Sequence, residues 1–115
     1  MKIHITGKQM DVGDALRTHV RDRLDGAAAK YFSNPIEGSV VFSREGHGYR
    51  VDCSVHVGHG VDAHSHAADG DIYAAFDVAA ERLEKRLRRY KRRLRNHHGR
   101  ERPPADSFRA QTRVL

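Results

Sequence analysis

From Ile72 to Leu94 a single apolar stripe runs through Ile72, Phe76, Ala79, Ala80, Leu83, Leu87, Tyr90 and Leu94, at the period of about 3.6 residues that marks an amphipathic α-helix. A helix of this length with one greasy face must lay that face on another element. The opposite face cannot enter a core, because it carries Lys85, Arg88, Arg89, Arg92 and Arg95, flanked by Arg82, Arg86, Lys91 and Arg93. Asp69 or Asp71 can accept hydrogen bonds from the first-turn amides, and Gly99 is expected to follow the helix end. The rest of the chain must therefore supply a complementary apolar surface and leave the basic face outside.

That surface is written at a different period. Tyr49, Val51, Cys53, Val55 and Val57 alternate strictly with Arg50, Asp52, Ser54 and His56, which is the pattern of a strand with one buried face. "KIHIT" at the start alternates likewise, with Ile3 and Ile5 on one side and Gly7 ending the run. "GSVVFSRE" reads as another strand, and "VDAHSHA" as a fourth, joined to its predecessor by the "GHG" of Gly58 to Gly60 in a hairpin. Between the first and second strands Val12, Leu16, Val20, Leu24 and Tyr31 recur at helical spacing. This first helix has Asp11 or Asp14 as candidate caps, and it should end near Lys30, before the turn signal Ser33-Asn34-Pro35. At 115 residues the chain has room for one core. The fold expected is α+β: a two-layer β-α-β-β-β-α domain, with a four-stranded sheet and two helices packed on one face. The domain spans residues 1–98, and residues 99–115, with paired prolines and no periodicity, read as a linker or disordered tail.

Composition narrows the partner. The chain holds 21 Lys and Arg against 15 Asp and Glu, a formal net charge of +6, which favours polyanions, nucleic acid first and an acidic membrane or protein second. No apolar stretch resembles a signal peptide or a bilayer span, so the protein is expected in the cytoplasm. The single cysteine, Cys53, cannot form an internal disulfide and is expected as a buried thiol.

The basic run from Arg88 to Arg95 has two readings. As a solvated helix face, Glu81 would pair with Lys85 and Glu84 with Arg88, each worth a few tenths of a kcal/mol. Those pairs leave unexplained why Arg88, Arg89, Lys91, Arg92, Arg93 and Arg95 crowd together with no acid among them, since like charges three or four residues apart repel. Something outside the domain is expected to offset that cost, a polyanion first. Arginine forks grip phosphate bidentately and stack on bases, which favours RNA over lipid, and the apolar stripe is already committed to the core.

Asp69 to Arg93, "DGDIYAAFDVAAERLEKRLRRYKRR", closely resembles the signature of the ribosome hibernation promoting factor family, also described as ribosome-associated inhibitor or sigma-54 modulation proteins. In that family an Asp-x-Tyr-x-Ala-hydrophobic-Asp segment opens a second helix that ends in Leu-x-Lys/Arg-Tyr-Lys. Asp71, Tyr73, Ala75, Phe76, Asp77, Leu87, Arg89, Tyr90 and Lys91 occupy those places, and "MKIHITGKQMDVGDALRTHVRDRL" is similar to the family's first strand and helix. The helix is richer in arginine than the mixed Lys/Gln pattern of the family.

The resemblance implies a non-enzymatic factor, without cofactor or metal, that binds the small ribosomal subunit and whole ribosome at the decoding region. There it would exclude messenger RNA and the A- and P-site transfer RNAs. It also implies contacts to ribosomal RNA phosphates by Arg82, Lys85, Arg86, Arg88, Arg89, Lys91, Arg92, Arg93 and Arg95. Tyr90 is expected to pack in the core by its helical phase. Long members of the family add a C-terminal domain that pairs two ribosomes, and residues 99–115 read as the start of such a linker. Homodimerisation is expected only with that domain.

Other classes fit less well. A generic double-stranded-RNA module shares the two-layer architecture. A metal site is suggested by nine histidines, with His64 and His66 on one face of a strand and His56 or His47 as further candidates. The sequence offers no third ligand at a defined interval, and the histidines read as surface residues of the sheet. Nucleophilic catalysis lacks a glycine-flanked serine elbow, and Cys53 faces the core.

Overall fold

The structure, a computed structural model, describes residues 1–35, 37–58 and 60–100, with side chains as far as Arg95. The elements in chain order are β1 (Lys2–Gly7), α1 (Asp14–Tyr31), β2 (Glu37–Glu45), β3 (Gly48–His56), β4 (Asp62–Asp69) and α2 (Ile72–Arg100). They form one four-stranded sheet in the order β1-β2-β3-β4. β1 lies parallel to β2, and the other pairs are antiparallel. A parallel pair needs a crossover, which α1 provides.

Register decides which residues meet the helices. Val40 lies opposite Cys53, which lies opposite Ser65; Phe42, Val51 and Ala67 form the next row, and Gly38, Val55 and Ala63 the last. All point to one face, where Leu16, Val20 and Leu24 of α1 and Phe76, Leu83 and Leu87 of α2 close the core. Burying each of the larger side chains contributes about 1.5–3 kcal/mol. Ser65 is the buried polar residue of that face, and its hydroxyl donates to the Ala79 carbonyl at 2.7 Å, tying β4 to α2.

Geometry requires glycine at Gly7 and Gly46, among other positions. A methyl group on Gly7 would collide with the Met10 carbonyl oxygen. Gly46, with φ of 59°, opens the β2–β3 loop of Gly46 and His47 in the left-handed region that glycine adopts without strain.

The helix ends differ from the spacing-based expectations. α1 has Gly13 as its N-cap with no side-chain cap, so Asp11 and Asp14 do not serve there; Asp14 instead places its charge in the first turn. In α2 Asp71 is the cap, its carboxylate accepting from the Ala74 amide at 2.9 Å, while Asp69 accepts from the Asp71 amide at 3.0 Å. α2 continues through Gly99 to Arg100 rather than stopping before the glycine. The expected linker beyond Arg100 lies outside the described residues.

Candidate nucleic-acid interface

α2 is held in place by two sets of contacts along the flank that faces α1. His19 Nε2 and Asp77 Oδ1 lie 2.7 Å apart. Further along, Glu84 receives Arg23 at 2.9 Å, Lys30 at 2.8 Å and the Tyr31 hydroxyl at 3.2 Å. The Glu84 carboxyl is held below the usual carboxylate range, chiefly by the Lys30 hydrogen bond, with Arg23 adding to it against the opposing effect of burial. Lys30 is raised by the same bond. The pairing of Glu84 with Arg88 expected from spacing does not form: Glu84 turns toward α1 instead, which leaves the arginine without that acid.

The basic residues named from the sequence are all exposed on α2, and among the described residues none of them forms an ion pair. Helical phase divides them into three groups. Arg82, Arg86, Arg89 and Arg93 lie toward the edge strand β4, where Arg82 donates to the His66 carbonyl at 2.9 Å. Arg86 lines a groove that reaches from β4, at His64 and His66, across Asp52 and Ser54 of β3 to Ser39 of β2. Lys85 and Arg92 occupy the crest. Arg88, Lys91 and Arg95 lie toward α1, where Arg88 borders a groove with Arg23 and Glu81 and the Lys91 ammonium sits 5.7 Å from the Phe32 ring centre. Arg82 thus has a structural duty at the sheet edge, covering a carbonyl that would otherwise face solvent. The others remain available to a partner.

Among the described side chains of α2, Leu87 is the last fully buried one. Beyond it Tyr90 and Leu94 are half-buried against the core, as the helical phase of Tyr90 requires. Arg93 lies 5.7 Å from the Tyr90 ring centre, which stiffens part of the cationic surface. A rigid helix therefore carries a surface of guanidinium and ammonium groups with no carboxylate interleaved from Arg88 to Arg95. Such a surface can take successive phosphates of a nucleic-acid backbone.

The other face of the sheet is polar. His64 and His66 point outward opposite Ser54 and Asp52, and His56 pairs with Asp62 at 2.6 Å. Among the described residues no group of three or more His, Cys, Asp or Glu is arranged to hold a metal ion. No helix of the described residues is long and apolar enough to cross a membrane.

Spacing did not reveal Arg23, Lys30 and Tyr31 as the partners that orient α2, nor Arg44, whose guanidinium lies 5.3 Å from the Tyr49 ring centre. A pairing between helices so distant in sequence has no periodic signal.

Residues 3–95 match the family profile described as sigma 54 modulation protein / S30EA ribosomal protein. The chain is 37% identical over 98 residues to a ribosome hibernation promotion factor of Rhizobium meliloti strain 1021, covering 85% of this chain and 52% of the relative. To a ribosome hibernation promoting factor of Azotobacter vinelandii it is 30% identical over 108 residues, covering 93% of this chain and 97% of that one. This chain thus spans about half the length of the Rhizobium relative and nearly all of the Azotobacter one. Among solved structures, the N-terminal domain of Thermus thermophilus Protein Y superposes with a TM-score of 0.71 at 30% identity, covering 78% of this chain and 99% of that domain.

Proposed function

This chain belongs to the sigma 54 modulation / S30EA ribosomal protein family, that of the ribosome hibernation promoting factors, and we propose that it binds the small ribosomal subunit and keeps the ribosome inactive. The observation that carries this reading is the exposed cationic surface of α2, whose residues from Arg88 to Arg95 have no ion-pair partner among the described residues. Self-repulsion along that surface is relieved when phosphates replace water and counterions around it.

In the proposed complex the domain occupies the decoding region, in the channel between head and platform. It takes space that messenger RNA and the A- and P-site transfer RNAs need. Arg88, Arg89, Lys91, Arg92, Arg93 and Arg95 contact ribosomal RNA phosphates, with Lys85 and Arg86 one or two turns earlier. Arg82 contributes with the part of its guanidinium not donated to His66. The action is steric and electrostatic, needs no cofactor, and takes place in the cytoplasm. Ribosome pairing belongs to the C-terminal domain of the family's long members and is not assigned to these residues.

The test is co-sedimentation with purified ribosomes in a sucrose gradient at near-physiological salt. The wild-type chain should migrate with the small subunit and the whole ribosome and inhibit translation. Arg88→Glu, Arg89→Glu and Arg92→Glu combined should leave the chain folded but at the top of the gradient, because all three side chains are exposed. Unchanged co-sedimentation of the triple variant would sink the proposal. Equal competition by free duplex RNA would point to a generic RNA-binding module instead.

A further inference from the structure

The acidic and aromatic half of the α2 signature is not accounted for by phosphate binding. Asp71 caps the helix, Ala75 and Phe76 are in the core, and Asp77 holds His19. Tyr73 has no such duty: it is 39% exposed, one of the large hydrophobic side chains left at the surface. Its ring centre lies 5.4 Å from that of His19, whose Nε2 is held by Asp77 one turn further along α2. The ring is thus backed by an ordered imidazole while remaining open to solvent.

Tyr73 lines a cleft of about 400 Å³ together with Gln9, Asp11, Arg44, Tyr49 and Ile72. The cleft lies between the loop after β1, the β2–β3 hairpin and the start of α2. A second hollow, bordered by Lys8, Gln9, Ser43 and Arg44, adjoins it across Arg44. Arg44 is exposed and forms no ion pair among the described residues. It is positioned instead by the Tyr49 ring, 5.3 Å away. The cleft has a mixed lining: the Tyr73 and Tyr49 rings with Ile72 supply apolar wall, Gln9, Asp11 and Arg44 supply polar groups, and Lys8 stands in the adjoining hollow.

We propose that this cleft is a second nucleic-acid contact, a subsite for one unpaired nucleotide of RNA. The base stacks on Tyr73 in the cleft, where the Asp11 carboxylate can accept from an exocyclic amino group, and the adjoining phosphate lies against Lys8 and Arg44. An unpaired base offers the π-face that a tyrosine stacks upon, whereas a duplex keeps its bases inside. Asp11 repels phosphate, so the backbone runs on the Lys8 side. The site rests on the RNA-binding reading of the chain but uses residues separate from the basic run of α2.

The probe is single-stranded tetra-adenylate, titrated into the isotopically labelled full chain and followed by amide and tyrosine-ring NMR signals. The expected result is saturable shifts at Gln9 to Asp11, Arg44, Tyr49 and Tyr73, absent with an abasic oligomer of equal charge. Tyr73→Ala should weaken binding about tenfold, and Tyr73→Phe should retain it. Shifts confined to α2 beyond Leu87, equal shifts with the abasic oligomer, or equal occupancy by a duplex would each overturn the proposal. The wild-type titration alone is decisive if Tyr73→Ala does not fold. Occupancy of the cleft by a chain that fails to co-sediment with ribosomes supports the subsite and removes the ribosome reading. Co-sedimentation with a silent cleft does the reverse.

Discussion

Cys53 sits in the middle of β3, between Val40 and Ser65 on neighbouring strands, and is 2% exposed. Burial pushes its thiol up to about 12, outweighing the lowering influence of the neighbouring Ser65 hydroxyl. Thiolate is the reactive species, so at pH 8 the native chain should react with an alkylating reagent on the order of a thousandfold more slowly than a free cysteine. Urea should restore the ordinary rate, and mass spectrometry of the adduct follows both. Fast alkylation of the folded chain would contradict the burial of β3. The burial of Cys53 is legible in the sequence because alternation fixes a face one residue at a time. The placement of Arg44 is not, since nothing in "FSREGHGY" says that its side chain will lie along Tyr49.

At the scale of elements, the contact between α1 and α2 turns on Glu84, whose partners Arg23 and Lys30 are 61 and 54 residues away. Spacing pairs it with Arg88, four residues on, and that local rule loses because α1 brings two cations and a hydroxyl to the same carboxylate. The periods that place strands and helices are local and were readable; the choice among cations for one acid depends on which helices pack together. A carboxylate lowered on folding contributes stability above its unfolded value, near 4.3, and loses it as pH falls through the folded value. Lys30 has the opposite sign: raised on folding, it contributes below its unfolded value, near 10.4, and loses that as pH rises through the folded one. Glu84→Gln should therefore cost about 1–2 kcal/mol at pH 7. The gap between variant and wild type should narrow below pH ~4. Urea unfolding at pH 7 and pH 3 measures both, and a gap of equal size at pH 3 would show that packing, not charge, makes the contact. Leu87→Ala, at a fully buried position of α2, should cost about 2–5 kcal/mol by the same assay. That loss should persist at both pH values because no charge is involved.

Across the whole molecule, the sheet and α1 bury one face of α2 and leave the other side with a density of positive charge that folding alone does not require. The net charge of +6 understates this, because acids such as Glu84 and Asp77 are spent on α1 contacts while the cations after Leu87 are not neutralised within the described residues. If ribosome binding neutralises about five phosphates, log affinity should fall against log salt with a slope of order −3 to −5. Each phosphate contact removed should take nearly one unit from that slope. Arg88→Gln and Arg92→Gln together should then flatten the dependence by roughly two units. They should also weaken binding at low salt more than at high salt, since the lost term is the salt-sensitive one. Affinities measured over a range of potassium concentrations separate this from an apolar protein interface. A flat response in the wild-type chain would place the partner among proteins and would leave the crowding of arginines on α2 unexplained.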